Sequence, residues 1–283
     1  MVVLGLGTAA LQEPPPLVFR AGVESVYVDA FVTRDGRPVL GLSAADFELK
    51  DEGRVQHPEL LSVESLPLTT LLVFDTSDSV RGPKLHALQS AAGAFLDGLR
   101  PKDEVGLFVF ADEVHRVARP TTDIAAIRRL LADVRADGPT ALWDALSTAI
   151  TVLPAASRAM VVVFSDGEDN MSWLDAKRVR AQAARSNALV QVIGLSTPPT
   201  VGEPAYVSDL REVAETTGGR FWRADSPAGL PGAFRGIIEA MNTRYLLRYD
   251  PGPDAKAGPH RITLRVKGVK GEVRARQGYW RAK

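Results

Sequence analysis

Apolar residues recur with two different rhythms along this chain. Over residues 17–66 the period is two. Val26, Val28, Ala30 and Val32 alternate with Tyr27, Asp29 and Phe31, and Phe47 and Leu49 mark a second short strand. That period sets every other side chain on one face of a β-strand. Asp35-Gly36-Arg37-Pro38 and Asp51-Glu52-Gly53 supply the residue types that turn a chain. From Leu68 the rhythm changes. LTTLLVFD is a run buried on both faces, as at the centre of a parallel sheet. The stripe Leu85, Leu88, Ala92, Phe95 and Leu99 predicts a helix over 83–99. A strand over 105–110 and a short edge strand over 114–118 follow. Helices are expected over 122–134, with Thr122 as N-cap, and over 140–153. A second apolar strand, 160–164, ends in Ser165-Asp166-Gly167. A helix over 174–184, a strand over 189–195 and a helix over 209–216 come next. Gly218-Gly219 stops that helix. A strand begins at Phe221-Trp222, and a last helix covers 230–241.

Strand–helix alternation over about 175 residues predicts an open, mostly parallel, doubly wound α/β sheet with helices on both faces. After Thr243 the period of two returns, with strands over 245–249, 261–266 and 273–280. Two or three strands are poorly stable alone. The economical arrangement is one β-sandwich built from both ends of the chain, residues 17–66 and 244–283, with an α/β domain of residues 67–243 inserted. Residues 1–16 form a leader or linker.

Composition narrows the functional classes. Hydrophobic residues make up 45% and charged residues 24% of the 283, an ordinary globular balance. Net charge is zero, so nothing global points to nucleic acid. Residues 244–283 carry eleven Lys/Arg against three Asp/Glu, a local excess of eight, which reads first as the solvated face of a strand pair. The absence of cysteine excludes disulfides, thiolate metal sites and cysteine nucleophiles. Residues 2–11 have the length of a signal-peptide apolar core, and Thr8-Ala9-Ala10 resembles a cleavage site, without a charged segment before them. The expectation is an export signal that has lost its start, and a protein of the periplasm, cell surface or medium. No other stretch approaches the ~20 apolar residues of a membrane span. Gly5-Leu6-Gly7-Thr8-Ala9-Ala10 matches a dinucleotide fingerprint, but Pro14-Pro15-Pro16 forbids the helix that motif requires.

The chemistry gathers where strands end. In a doubly wound sheet, ligands bind outside the carboxyl ends of the strands. Asp75, Ser77 and Ser79 follow the first buried strand, Thr140 opens a helix, and Asp166 follows the 160–164 strand. Each has an ordinary alternative: Ser79 and Thr140 as helix caps, Ser-Asp-Gly as a turn. Together they form an all-oxygen set from three loops, the donor type that hard divalent cations prefer.

These residues also resemble a known family. DTSDS matches the DxSxS signature of von Willebrand factor type A domains, with Thr140 in GPTALWDAL and Asp166 in SDG as the other two parts of its metal-ion-dependent adhesion site. GRPVLGLSAADFELKDEG before the domain, and YLLRYDP and RARQGYW after it, resemble a bacterial, mostly exported group with a flanking β module. The resemblance implies that Ser77, Ser79 and Thr140 ligate a cation through hydroxyls, and that Asp75 and Asp166 act directly or through water. Mg²⁺ is the expected ion, with Mn²⁺ or Ca²⁺ as alternatives. Neutral hydroxyls leave the ion's charge poorly compensated, so an open position attracts an anion. In the family that anion is an Asp or Glu carboxylate of a partner protein. Two positions depart from the pattern: Asp78 stands where Gly is usual, and Pro139 where a second Gly is common. Asp tolerates a left-handed backbone. Its carboxylate would either strengthen cation binding or occupy the partner's place.

Other readings carry less. A Mg²⁺-dependent phosphohydrolase would want an acid at position 77, which is Ser. No GxSxG elbow is present, and His57, His86, His115 and His260 have no metal or triad spacing. No catalytic set emerges. Asp78, Glu168 and Asp169 form an acidic rim that could select a basic-flanked ligand, and Asn170 extends it. Trp143 and Trp173 lie near the same loops and read as packing residues. The remaining alternative is a scaffold that binds no metal.

Overall fold

The computed structural model describes residues 25–62, 66–153, 158–165, 169–195, 204–268 and 270–281. The leader, Asp166, Gly167 and Glu168 lie outside these residues.

The chain opens with β1 (Val26–Arg34), which turns at Asp35-Gly36 into the short β2 (Arg37–Pro38). Both turn residues have positive φ, 52° and 74°, the backbone of a tight hairpin. β3 (Phe47–Asp51) and β4 (Arg54–Gln56) form a second hairpin through Glu52-Gly53, also at positive φ, and β5 (Glu59–Leu61) follows. The inserted domain then runs β6 (Leu68–Asp75), α1 (Pro83–Asp97), β7 (Glu104–Phe110), β8 (Val114–Thr121), α2 (Ile124–Asp133), α3 (Leu142–Val152) and β9 (Arg158–Ser165). It continues with α4 (Ala176–Ala183), β10 (Ala188–Leu195), α5 (Ala205–Thr216), β11 (Arg220–Ala224) and α6 (Leu230–Asn242). The chain then returns to β12 (Tyr245–Tyr249), β13 (Gly258–Val266), β14 (Glu272–Arg274) and β15 (Gly278–Arg281).

The central sheet has the order β11-β10-β9-β6-β7-β8, parallel except for β8, which pairs antiparallel with β7 at the edge. Every residue of β6, β9 and β10 is buried. Leu72, Phe74, Val162 and Phe164 face a core closed by α1, α2 and α6. Leu71, Val73, Val161 and Val163 face a second core closed by α3, α4 and α5. This two-sided burial is why the strands read as continuous apolar runs. The strand order reverses between β6 and β9, in register at Val73↔Val163. Crossovers leave these two neighbours toward opposite edges, so a crevice opens past their carboxyl ends.

The first and last segments share two sheets. One has the order β14-β1-β12-β5, with β2 beside β1; the other is β15-β13-β3-β4. Val28, Ala30, Val32, Leu49, Leu247, Tyr249 and Ile262 fill the layer between them. Residues 273–280, expected as one strand, are two, and they enter different sheets. β14 pairs with β1, β15 pairs with β13, and residues 275–277 cross between the sheets. The α2 N-cap is Asp123 rather than Thr122. Its carboxylate accepts from the Ala126 amide at 2.9 Å.

Two buried polar clusters hold this arrangement. Asp29 of β1 accepts from Arg158 Nε at 2.6 Å and pairs with Arg244 Nε, joining the β module to the inserted domain. Arg244 also donates to the carbonyls of Asp29 and Gly218. Inside the sandwich, Asp51 Oδ2 accepts from Tyr249 OH at 2.9 Å and Tyr279 OH at 2.8 Å. Its Oδ1 lies 2.8 Å from His260 Nδ1.

Candidate metal centre

Asp75 ends β6 at the point where the strand order reverses, and its side chain has no solvent exposure. Oδ1 accepts from the Ser77 amide at 2.9 Å and from Ser77 Oγ at 2.6 Å. Oδ2 accepts from Ser165 Oγ, the last residue of β9, at 2.7 Å. One carboxylate therefore stitches the two strand ends to the loop that leaves them. Thr76 fixes that loop to β7, its amide and Oγ1 both donating to the Phe110 carbonyl. Ser77 is extended, and residues 78–80 make a single tight turn into α1. The turn brings Ser79 Oγ to 2.8 Å from Ser77 Oγ. Ser77 is buried and Ser79 is exposed.

Thr140 reaches the same edge from a different element. The Asp137 amide donates to the Thr76 carbonyl at 2.7 Å, and the Asp78 amide donates to the Gly138 carbonyl at 2.9 Å. Gly138 has φ 88°, a left-handed backbone that explains the glycine before Pro139. Thr140 is buried just ahead of α3, whose N-cap is Ala141. Its amide donates to Asn170 Oδ1 at 2.9 Å, and its carbonyl accepts from the Asn170 and Met171 amides, each at 3.1 Å. The 169–174 loop thus clamps Thr140 on both backbone groups.

Asp75 Oδ1, Ser77 Oγ and Ser79 Oγ follow one another at 2.6 and 2.8 Å. Neighbouring oxygens in an octahedral site at about 2.1 Å from the metal lie about 3.0 Å apart. The observed separations are those of hydrogen bonds, and a cation among these oxygens would replace the bonds between them. The donor set is oxygen-only and hydroxyl-rich, the type that hard cations prefer more than softer ions do.

The rim residues have separate fates. Asp78 has an ordinary backbone, so no left-handed conformation is needed where the family has Gly. Its carboxylate turns outward to Arg81, which also pairs with Asp137. Asp169 faces inward. It accepts from the Trp143 amide at 3.0 Å and from the Ser172 amide and hydroxyl. Asp144 of α3 answers by accepting from the Trp173 and Leu174 amides at 2.9 and 3.0 Å. Ser165 and Asp144 are supporting residues that sequence reasoning passed over, and Asn170, expected only as an extension of the rim, supports Thr140. Ser165 stood in the quoted Ser-Asp-Gly, where its place at a buried strand end was the available signal. The two tryptophans also part company. Trp143 is packed in the core at 6% exposure, while Trp173 is 92% exposed.

Residues 70–168, about a third of the chain, match the family model of the von Willebrand factor type A domain. A UPF0353 protein of Mycobacterium avium is 27% identical over 265 residues, covering 74% of this chain and 78% of that protein. Further mycobacterial relatives are spanned over 59% of their length. Among solved structures, the von Willebrand factor type A protein from Catenulispora acidiphila aligns with TM-score 0.54 at 14% identity. That alignment covers 84% of this chain and 70% of the other. The vWF domain of the type V pili tip protein Mfa5 from Porphyromonas gingivalis gives TM-score 0.53 at 13% identity, over 62% of this chain and 95% of that one. These likenesses concern the fold.

Proposed function

We propose that this chain, whose residues 70–168 match the family model of the von Willebrand factor type A domain, is a cation-dependent protein-binding module rather than an enzyme. Ser77, Ser79 and Thr140 would hold a divalent cation, Mg²⁺ first, with Asp75 and Asp166 acting directly or through water. The bound ion would supply a Lewis-acidic position for an Asp or Glu carboxylate of a partner protein. The observation that carries this reading is the gathering of Asp75, Ser77 and Ser79 oxygens at the carboxyl end of β6, where the strand order reverses. The protein's part is positional. Asp75 keeps Ser77 in place, Ser165 keeps Asp75 in place, and Asn170 keeps Thr140 against the loop. The fold neighbour from P. gingivalis is a pilus tip protein, consistent with an adhesive role outside the cell. No helix among the described residues is long and apolar enough to cross a membrane.

One observation favours a second reading, a scaffold without metal. Ser77 and Ser79 already hydrogen-bond each other, so this part of the loop is satisfied without an ion. Calorimetric titration with Mg²⁺ and Mn²⁺ separates the two. The wild type should show saturable one-site binding that Ser79→Ala and Thr140→Ala both abolish. Ser79 is exposed, so its loss should leave the melting temperature unchanged. Silence in the wild type would leave the scaffold.

A further inference from the structure

Trp173 stands almost fully in solvent at 92% exposure, and Met171, two residues before it, at 52%. A free tryptophan of this kind is uncommon on a soluble surface, because Trp is highly buried on average. Its loop is held firmly. The Met171 amide is bonded to the Thr140 carbonyl, and Asp144 takes the Trp173 and Leu174 amides. Asp169 closes the turn through Ser172. Four anchored residues present two large apolar side chains outward, and they do so from the segment that clamps Thr140.

Resting on the cation-site reading above, we propose that Met171 and Trp173 are the specificity anchor of the same binding face. The partner segment would place an aliphatic or aromatic side chain on Trp173 while its Asp or Glu carboxylate meets the cation. An aromatic ring fixed before binding loses little freedom when it is covered, the condition under which Trp becomes a hot spot. The loop favours a polypeptide over an anionic membrane, because residues 169–175 contain no Lys or Arg to hold a lipid headgroup. Its two carboxylates are engaged, Asp169 with the Trp143 amide and Asp175 with the Arg178 amide.

The test pans a random dodecapeptide phage library on the full chain in Mg²⁺ and elutes with chelator, in parallel on Trp173→Ala and Thr140→Ala. Chelator-eluted peptides from the wild type should share an Asp or Glu with an apolar residue near it. A synthetic copy should bind Trp173→Ala at least tenfold more weakly, while Mg²⁺ affinity by calorimetry stays unchanged. Thr140→Ala should enrich nothing. Equal affinity for wild type and Trp173→Ala, or a consensus lacking the apolar residue, overturns the anchor and leaves the cation site standing. Mg²⁺ binding without chelator-eluted peptides overturns the docking face. Absence of Mg²⁺ binding sinks the underlying reading instead. Sedimentation with phosphatidylcholine–phosphatidylglycerol vesicles that Trp173→Ala abolishes would assign the face to lipid and overturn the proposal.

Discussion

Replacing Asp29 by Asn tests whether the β module and the inserted domain are held by charge or by packing. The side chains of Arg158 and Arg244 are 5% and 1% exposed, and Asp29 is the shared carboxylate between them. Asn keeps the shape and one acceptor but leaves two buried guanidiniums without a counter-charge. Removing one partner of a buried pair costs about 3–5 kcal/mol. Asp29 is itself 17% exposed, which argues for the low end, about 3 kcal/mol. At about 2–4 °C per kcal/mol in a chain of this size, melting should fall by roughly 6–12 °C. Acid gives a second arm. Burial would raise the Asp29 carboxyl, but the charges and hydrogen bonds of Arg158 and Arg244 outweigh it and hold it below the usual range. A depressed group stabilises fully above its unfolded value of about 3.9 and loses that contribution as pH falls toward the folded value. The gap between wild type and Asp29→Asn, read as urea midpoints, should therefore be widest near neutrality and close in acid. A loss under about 1 kcal/mol at pH 7 would mean that water screens the triad as it does a surface pair, and a gap independent of pH would mean that packing, not charge, holds the two parts.

Three further outcomes follow from buried polar groups. Thr70 Oγ1 is buried in β6 without a hydrogen-bond partner among the described residues, so Thr70→Val should raise stability by about 1 kcal/mol in urea unfolding. Both ring nitrogens of His260 face acceptors, Asp51 Oδ1 at 2.8 Å and the Lys256 carbonyl at 2.7 Å. Burial pulls this imidazole down, but the carbonyl and the carboxylate prevail and raise it above 6.5. Its contribution is then complete below about pH 6.5 and lost as pH rises through the folded value; the stability gap between wild type and His260→Gln should shrink from pH 6 to pH 9. Asp169→Ala removes the acceptor of three donors, and limited proteolysis should cut the 169–174 loop faster by tenfold or more while the central sheet persists in circular dichroism.

Much of the fold was legible because it rests on periodicity. The runs 68–75 and 160–164 announce strands buried on both faces, and the stripe from Leu85 to Leu99 announces α1. The boundaries slipped where a local polar contact decides. Thr122 and Asp123 are both competent caps, and only the position of the Ala126 amide selects Asp123. Residues 273–280 alternate well enough for one strand, yet residues 275–277 cross from one sheet to the other. The strand-end oxygens of the candidate site could be read because three sit within five residues. Their support could not. Ser165 lies 90 positions from Asp75, and Asn170 30 positions from Thr140. Trp143 and Trp173 could not be told apart, because only the fold shows that Trp143 lies on the buried side of α3 while Trp173, in the loop before α4, stands in water.

The pairing of β1 with β12 has a consequence for how the chain is made. Asp29 and Arg244 are 215 positions apart. Synthesis at about 5–20 residues per second leaves the first strand without its neighbour for roughly 10–40 seconds. In that interval the inserted domain can complete its short crossovers, while Val26, Val28, Ala30 and Val32 lack Leu247, Tyr249 and Ile262, which complete their layer. The nascent chain thus passes through a stage in which a finished middle trails an unmatched hydrophobic edge, and this stage is its exposure to chaperones and to aggregation.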